Sequence, residues 1–151
     1  MSMLRAAVVD TDVFSHLYVV RNSVDRRVPR WRELLTGRRV VISFQTRSEV
    51  LAGALANGWG DRRLARLSEI LHQTPTIRVD DEVIVAHATL LAECRRAGHP
   101  LQAKDHTGDR WVAACAIAKG VDLLAGDTIY EGAPGVRLLG SREEFQSDAR
   151  Q

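Results

Sequence analysis

Four acids at element boundaries, Asp10, Glu49, Asp109 and Asp127, carry the chemistry this sequence offers. Asp10 closes the apolar run Ala6 to Val9, which reads as a buried strand. Asp127 follows a second such run, Val121 to Ala125. Asp109 opens a helix predicted over roughly 108 to 119, with Thr107 as its N-cap, Val112, Ala113, Ala116 and Ile117 at helical spacing, and Gly120 as its stop. A helix joined to the next strand by so short a turn runs antiparallel to it. Asp109 and Asp127 therefore fall at one edge, although 18 positions separate them. Glu49 lies early in a helix that Ser43 can cap after a second strand. Four carboxylates brought within a few ångströms repel one another and favour their protonated forms, a penalty that a divalent cation removes. Oxygen-only donors suit Mg²⁺ or Mn²⁺, ions that serve phosphoryl chemistry. Each acid also has an ordinary role open to it. Asp10 and Asp127 can cap the next element, Asp109 complements a helix dipole, and Thr46-Arg47-Ser48-Glu49 fits a capping box.

The remaining elements place these acids. Helices are predicted from Val13 to Val20, from Pro29 to Leu35, from Ser43 to Ala56, from Asp61 to about Thr74 and from Asp80 or Asp81 to Arg96; the basic stretch Arg21 to Arg30 is a loop. Strands are expected at Arg39 to Ile42, Thr76 to Val79 and, fifth, Val136 to Leu139. Alternating strands and helices predict an α/β fold, one domain with a parallel five-stranded sheet and helices on both faces. The expected domain covers residues 1–140, followed by a polar tail at 141–151. In such sheets ligands bind beyond the carboxyl ends of the strands, the edge at which all four acids fall.

At 151 residues and 45% hydrophobic content the chain can bury a substantial core. No apolar run approaches the roughly 18 residues that cross a bilayer, and the first residues lack a secretory signal, so a cytoplasmic location without membrane contact is expected. Cys94 and Cys115 have no Cys or His partner at metal-ligand spacing and read as reduced core thiols. The net charge of +2 hides an asymmetry: residues 1–66 hold 12 Arg against 6 acids, while residues 67–151 hold 9 basic residues against 13 acids. Arg matches phosphate geometry, so Arg26, Arg27, Arg38, Arg39 and Arg47, with Thr11 beside Asp10, are candidates for contacting a nucleic-acid backbone. The ordinary explanation is Arg-rich composition spread over solvated helices.

The segments VVDTDVFS, SFQTRSE, GDRWVAACA and LLAGDTIYEGAPGVRLL, in this order and over nearly the whole chain, resemble the PIN-domain ribonucleases, specifically the toxins of VapBC toxin-antitoxin pairs. The resemblance implies a Mg²⁺-dependent (or Mn²⁺-dependent) endoribonuclease with Asp10, Glu49, Asp109 and Asp127 as catalytic metal ligands. It further implies a homodimer, an RNA substrate, and a cognate antitoxin that inserts a basic segment into the acidic pocket. Asp12 stands where many members have Asn. Two alternatives share some of these residues. A haloacid-dehalogenase-like phosphatase would use Asp10-Thr11-Asp12-Val13, with Asp10 as nucleophile and Lys104 or Lys119 as its lysine, but would leave Glu49 and Asp109 without a task. A catalytically silent PIN-like binding module would need none of the four acids. Among the aromatic and histidine side chains, Trp111 is expected in the core or a dimer interface, Trp59 is a candidate for stacking on a base, and His106 lies close enough to Asp109 to approach a phosphate.

Overall fold

The computed structural model describes residues 5–140; the proposed tail at 141–151 lies outside them. Four strands form one parallel sheet: β1 (Arg5–Val9), β2 (Arg38–Ser43), β3 (Thr76–Ile77) and β4 (Asp122–Leu124), in the order β3-β2-β1-β4. Central β1 pairs on one side with β2, Val8 opposite Val41, and on the other with β4, Val8 opposite Leu123. Ala7, Val8 and Val9 are all fully buried, as a strand covered on both faces requires.

Alternation along the strands splits the core in two. On one face Ala7, Val9, Ile42 and Leu124 pack with Val13 and Phe14 of α1 (Thr11–Phe14), Trp31 and Leu35 of α2 (Val28–Leu35), and Leu67 and Leu71 of α4 (Asp61–Gln73). On the other, Val8, Val41 and Leu123 meet Leu90 and Cys94 of α5 (Asp81–Ala97) and Val112, Ala113 and Ala116 of α6 (Thr107–Lys119). The expected helices on both faces are thus present. Helix α3 (Phe44–Ala56) follows β2 directly, because Ser43 accepts the Thr46 N–H at 3.0 Å; the helix starts at Ser43 and not at a Thr46 capping box. Helix α1 runs into a π-turn, Ser15–Val19, ahead of the 20–27 loop.

The sheet has four strands and not the expected five. Val136 to Leu139 makes one isolated bridge, Leu138 with Leu123, closed by Leu123 N–H to the Arg137 carbonyl and Leu139 N–H to the Leu123 carbonyl. Gly135 and Gly140 flank it at φ 78° and 72°, turning the backbone away before a ladder can extend. The third strand ends at Ile77 for want of a partner beyond Ser43. Thr107 is not an N-cap: it lies inside α6, its hydroxyl donates to the Lys104 carbonyl at 2.7 Å, and the 3₁₀ turn Lys104–His106 leads straight into the helix. Both cysteines are free and buried, as expected. No helix among the described residues is long and apolar enough to cross a membrane.

Candidate functional site

Asp10 is the centre of the acidic edge. It is 4% exposed, and both carboxylate oxygens accept backbone N–H groups: Oδ1 from Val13 at 2.9 Å, Oδ2 from Gly126 at 2.9 Å and, more weakly, Asp127 at 3.5 Å. Its own N–H donates to the Leu124 carbonyl at 3.0 Å, so β1, α1 and the turn after β4 are tied at one residue. Burial pushes its pKa up to about 6; the three amides oppose this and Asp12 adds to it.

Glu49 approaches from α3. Thr11 donates its hydroxyl to Glu49 Oε2, and the same hydroxyl lies 3.0 Å from that of Thr46. Gln45 Nε2 donates to Glu49 Oε1 at 3.0 Å. Asp109 enters from the first turn of α6, with His106 Nδ1 2.8 Å from Oδ2 and the Tyr130 hydroxyl 3.2 Å from Oδ1. Tyr130 is buried, and burial first, then the charges of Asp109, Asp10 and Glu49, push its phenol well above its ordinary pKa. The charges of three of the four acids, from three elements, therefore reach one phenol, which touches Asp109. Close backbone approach makes this possible: a Cβ at Gly108 would sit 2.9 Å from Glu49 Oε1, and one at Gly126 would sit 2.2 Å from Asp12 Oδ2.

Asp127 stands apart from this trio. Its backbone joins the cradle around Asp10, but its exposed carboxylate accepts the Ile129 N–H at 2.9 Å and caps the 3₁₀ turn Thr128–Tyr130. The carboxylates are turned to these hydrogen-bond partners. Among the described residues no three Asp, Glu, His or Cys side chains are set as a ligand sphere. By chemistry the trio nevertheless fits a hard divalent cation: all donors are oxygen, and none of the three is ion-paired to Arg or Lys among the described residues.

The candidate phosphate contacts divide. Arg26 is exposed on the loop before α2. Arg27 is exposed but engaged, with NH2 3.0 Å from Asp12 Oδ2 and 2.9 Å from Asp25 Oδ2, NH1 donating to the Gly126 carbonyl at 3.0 Å, and the guanidinium 4.6 Å from the Trp31 ring centre. Arg38 pairs with Asp122 at 3.1 Å at the amino end of the sheet, where Arg39 also lies, the edge opposite the acids. Arg47 donates to the Leu71 carbonyl at 2.9 Å and to Thr76, tying α3 to α4 and β3. Trp111 stacks on His87 at 3.9 Å and meets Phe44 edge-on, a core position; Trp59 lies under Arg63. Sequence reasoning missed Tyr130, Thr46, Gly108 and Gly126, and gave His106 a different role. Only the Gly-Asp pairs at 108–109 and 126–127 hinted at close approach.

Fold and acids together define a parallel α/β domain with carboxylates gathered at the carboxyl edge of its sheet. Residues 7–135 match the model of the PIN domain, and the chain belongs to that family. It is similar to Ribonuclease VapC4 of Mycobacterium tuberculosis, 27% identical over 138 residues that cover 90% of this chain and 97% of the relative. Among solved structures it is similar to VapBC-5 of M. tuberculosis (26% identity, TM-score 0.65, 89% and 98% of the two chains). VapBC2 of Rickettsia felis bound to a promoter DNA fragment shares the fold (17% identity, TM-score 0.69, 88% and 96%). Family membership replaces the phosphatase alternative. Of its two candidate lysines, Lys119 lies at the far end of α6 and pairs with Asp80 and Glu82.

Proposed function

We propose that this chain is a Mg²⁺-dependent (or Mn²⁺-dependent) endoribonuclease, the toxin of a toxin-antitoxin pair, cutting RNA phosphodiester bonds as a homodimer that a cognate antitoxin silences. The observation that carries the reading is the convergence of Asp10, Glu49 and Asp109, from three elements, at the carboxyl edge of the sheet with no Arg or Lys ion-paired to them among the described residues. Asp10, Glu49 and Asp109 would hold the ion, with Asp127 at the rim as fourth donor. Bound there, it would activate water for attack on phosphorus and stabilise the departing oxygen.

The chain's own groups supply position. Backbone amides hold the Asp10 carboxylate in place, the Thr11 hydroxyl holds Glu49, and His106 with Tyr130 holds Asp109. Arg26 and the Thr11 neighbourhood are the candidates for the RNA backbone at this edge. Arg27 would reach a phosphate only by leaving Asp12, whereas Arg38, Arg39 and Arg47 would act on RNA that extends beyond the acidic edge. Unpaired RNA is the expected substrate, because its bases can be splayed for readout.

The test is cleavage of a single-stranded RNA by the purified chain with Mg²⁺, with chelator, and after Mg²⁺ is restored. Cleavage should be lost and regained, and Asp10→Asn, Glu49→Gln, Asp109→Asn and Asp127→Asn should each be inactive. A chelator-resistant rate would sink the metal-dependent reading. Expression alone should stop growth, and co-expression of the adjacent small gene product should restore it; harmless expression of the active chain would count against the toxin assignment.

A further inference from the structure

Asp109 is held at both oxygens, by two residues of different standing. His106 is half-exposed and lies one helical turn away on the same segment. Tyr130 comes from the far side of β4, is 1% exposed, and packs its ring in the core cluster that contains Val8, Val112, Ala113 and Leu123. That packing fixes the ring, and with it the point from which the hydroxyl donates. A phenyl ring would fill the same apolar slot, so the hydroxyl is not required for packing; it donates to Asp109 Oδ1 at 3.2 Å. The turn that carries it, Thr128–Tyr130, begins at Asp127, whose carboxylate caps it.

We propose that Tyr130 is a positioning residue of the acidic site: its buried hydroxyl, donating to Oδ1 of Asp109, fixes the orientation in which that carboxylate meets a divalent cation. The inference rests on the metal-dependent reading above. Without the hydroxyl, Asp109 keeps only the His106 contact and turns about its side-chain bonds at the start of α6. A donor that orients a ligand carboxylate is worth about tenfold to a hundredfold in metal affinity or activity.

The test uses the full chain, Mn²⁺ as the probe, and Tyr130→Phe. Calorimetric titration should show Mn²⁺ affinity weakened at least tenfold, and cleavage of a single-stranded RNA should show a lower kcat with KM for RNA unchanged. Because the hydroxyl acts through metal binding, the urea midpoint should fall further with Mn²⁺ present than without it. In an Asp109→Asn background, Tyr130→Phe should produce no further loss of Mn²⁺ affinity. Equal Mn²⁺ affinity in wild type and Tyr130→Phe would overturn the assignment, as would independent losses in the double variant. A wild-type chain that cuts RNA with chelator present and binds no Mn²⁺ would remove the metal-dependent reading, and this inference with it.

Discussion

Replacing Gly108 by alanine would set a methyl carbon 2.9 Å from both Gln45 Nε2 and Glu49 Oε1. Ordinary contacts begin near 3.4 Å, so both groups must retreat by roughly 0.5 Å. Both are ends of flexible side chains, and the fold can absorb the move. Losing the Gln45 to Glu49 hydrogen bond costs about 1 kcal/mol, whereas alanine gains up to about 1 kcal/mol over glycine within a helix. Net stability should therefore change by no more than about 1 kcal/mol. Activity has no such offset, because misplacing a reacting group by about 1 Å can lower a rate about a hundredfold. Half that displacement of Glu49 should lower it about tenfold or more. Gly53 provides the control: it lies in α3 with nothing within 4 Å of its would-be Cβ, so Gly53→Ala should stabilise slightly and leave the rate alone. Urea unfolding and RNA cleavage with Mg²⁺ measure the two quantities. If Gly108→Ala cuts RNA at the wild-type rate with an unchanged fold, Glu49 does not act where it stands.

Three further outcomes follow from the same geometry. A rise of the Asp10 pKa from 3.8 to about 6 means that the metal-free folded state keeps this proton longer than the unfolded state. The resulting contribution to stability falls by about 3 kcal/mol as pH climbs from about 4 to 7, and Asp10→Asn should flatten that slope in metal-free urea titrations. Asn offers one accepting oxygen where Asp10 uses two, so part of any gain is returned, about 1 kcal/mol; an identical slope in both proteins would refute the buried-acid account. Arg27→Lys keeps the charge but loses the fork that spans Asp12, Asp25 and Gly126. It should slow cleavage several-fold while shifting unfolding by less than about 1 kcal/mol, since the pair is partly solvated, and a shift in unfolding without one in rate would mark Arg27 as purely structural. Burial pushes the Cys115 thiol up to about 11 and raises that of Cys94, so a thiol reagent should label neither until denaturant is added; rapid labelling of the folded chain would contradict both positions.

Where a feature is periodic or local, the sequence reveals it. The four strands of the sheet, the five helices from α2 to α6 and the Ser43 cap follow from spacing and from single residues whose chemistry acts within four positions. The acidic edge also follows, because connectivity alone puts Asp10, Glu49 and Asp109 at one end of the sheet. Contacts made across distance leave no such trace. Tyr130 looks like any aromatic after a turn until the fold carries it 21 positions back to Asp109. Val136 to Leu139 has strand composition, but two flanking glycines limit it to one bridge. Arg38 and Arg47 read only as basic residues in the sequence, and the fold engages them with Asp122 and with the end of α4. The composition of the first half could not distinguish an arginine that binds a ligand from one that ties the fold together.

The knot at Asp10 also sets when during synthesis the acidic site can be completed. Asp10 leaves the ribosome early, but the Gly126 N–H that holds its carboxylate lies 116 positions later. At about 5–20 residues per second, roughly 6–23 s of translation separate the two. Through most of that interval β1 lacks its β4 neighbour; Asp109 is made only near its end and Tyr130 after it. A ribosome-bound chain stalled before Asp127 should cut no RNA, whereas the released full chain should. If the chain cuts RNA as proposed, the message that encodes it would be spared by topology until its own synthesis is nearly complete.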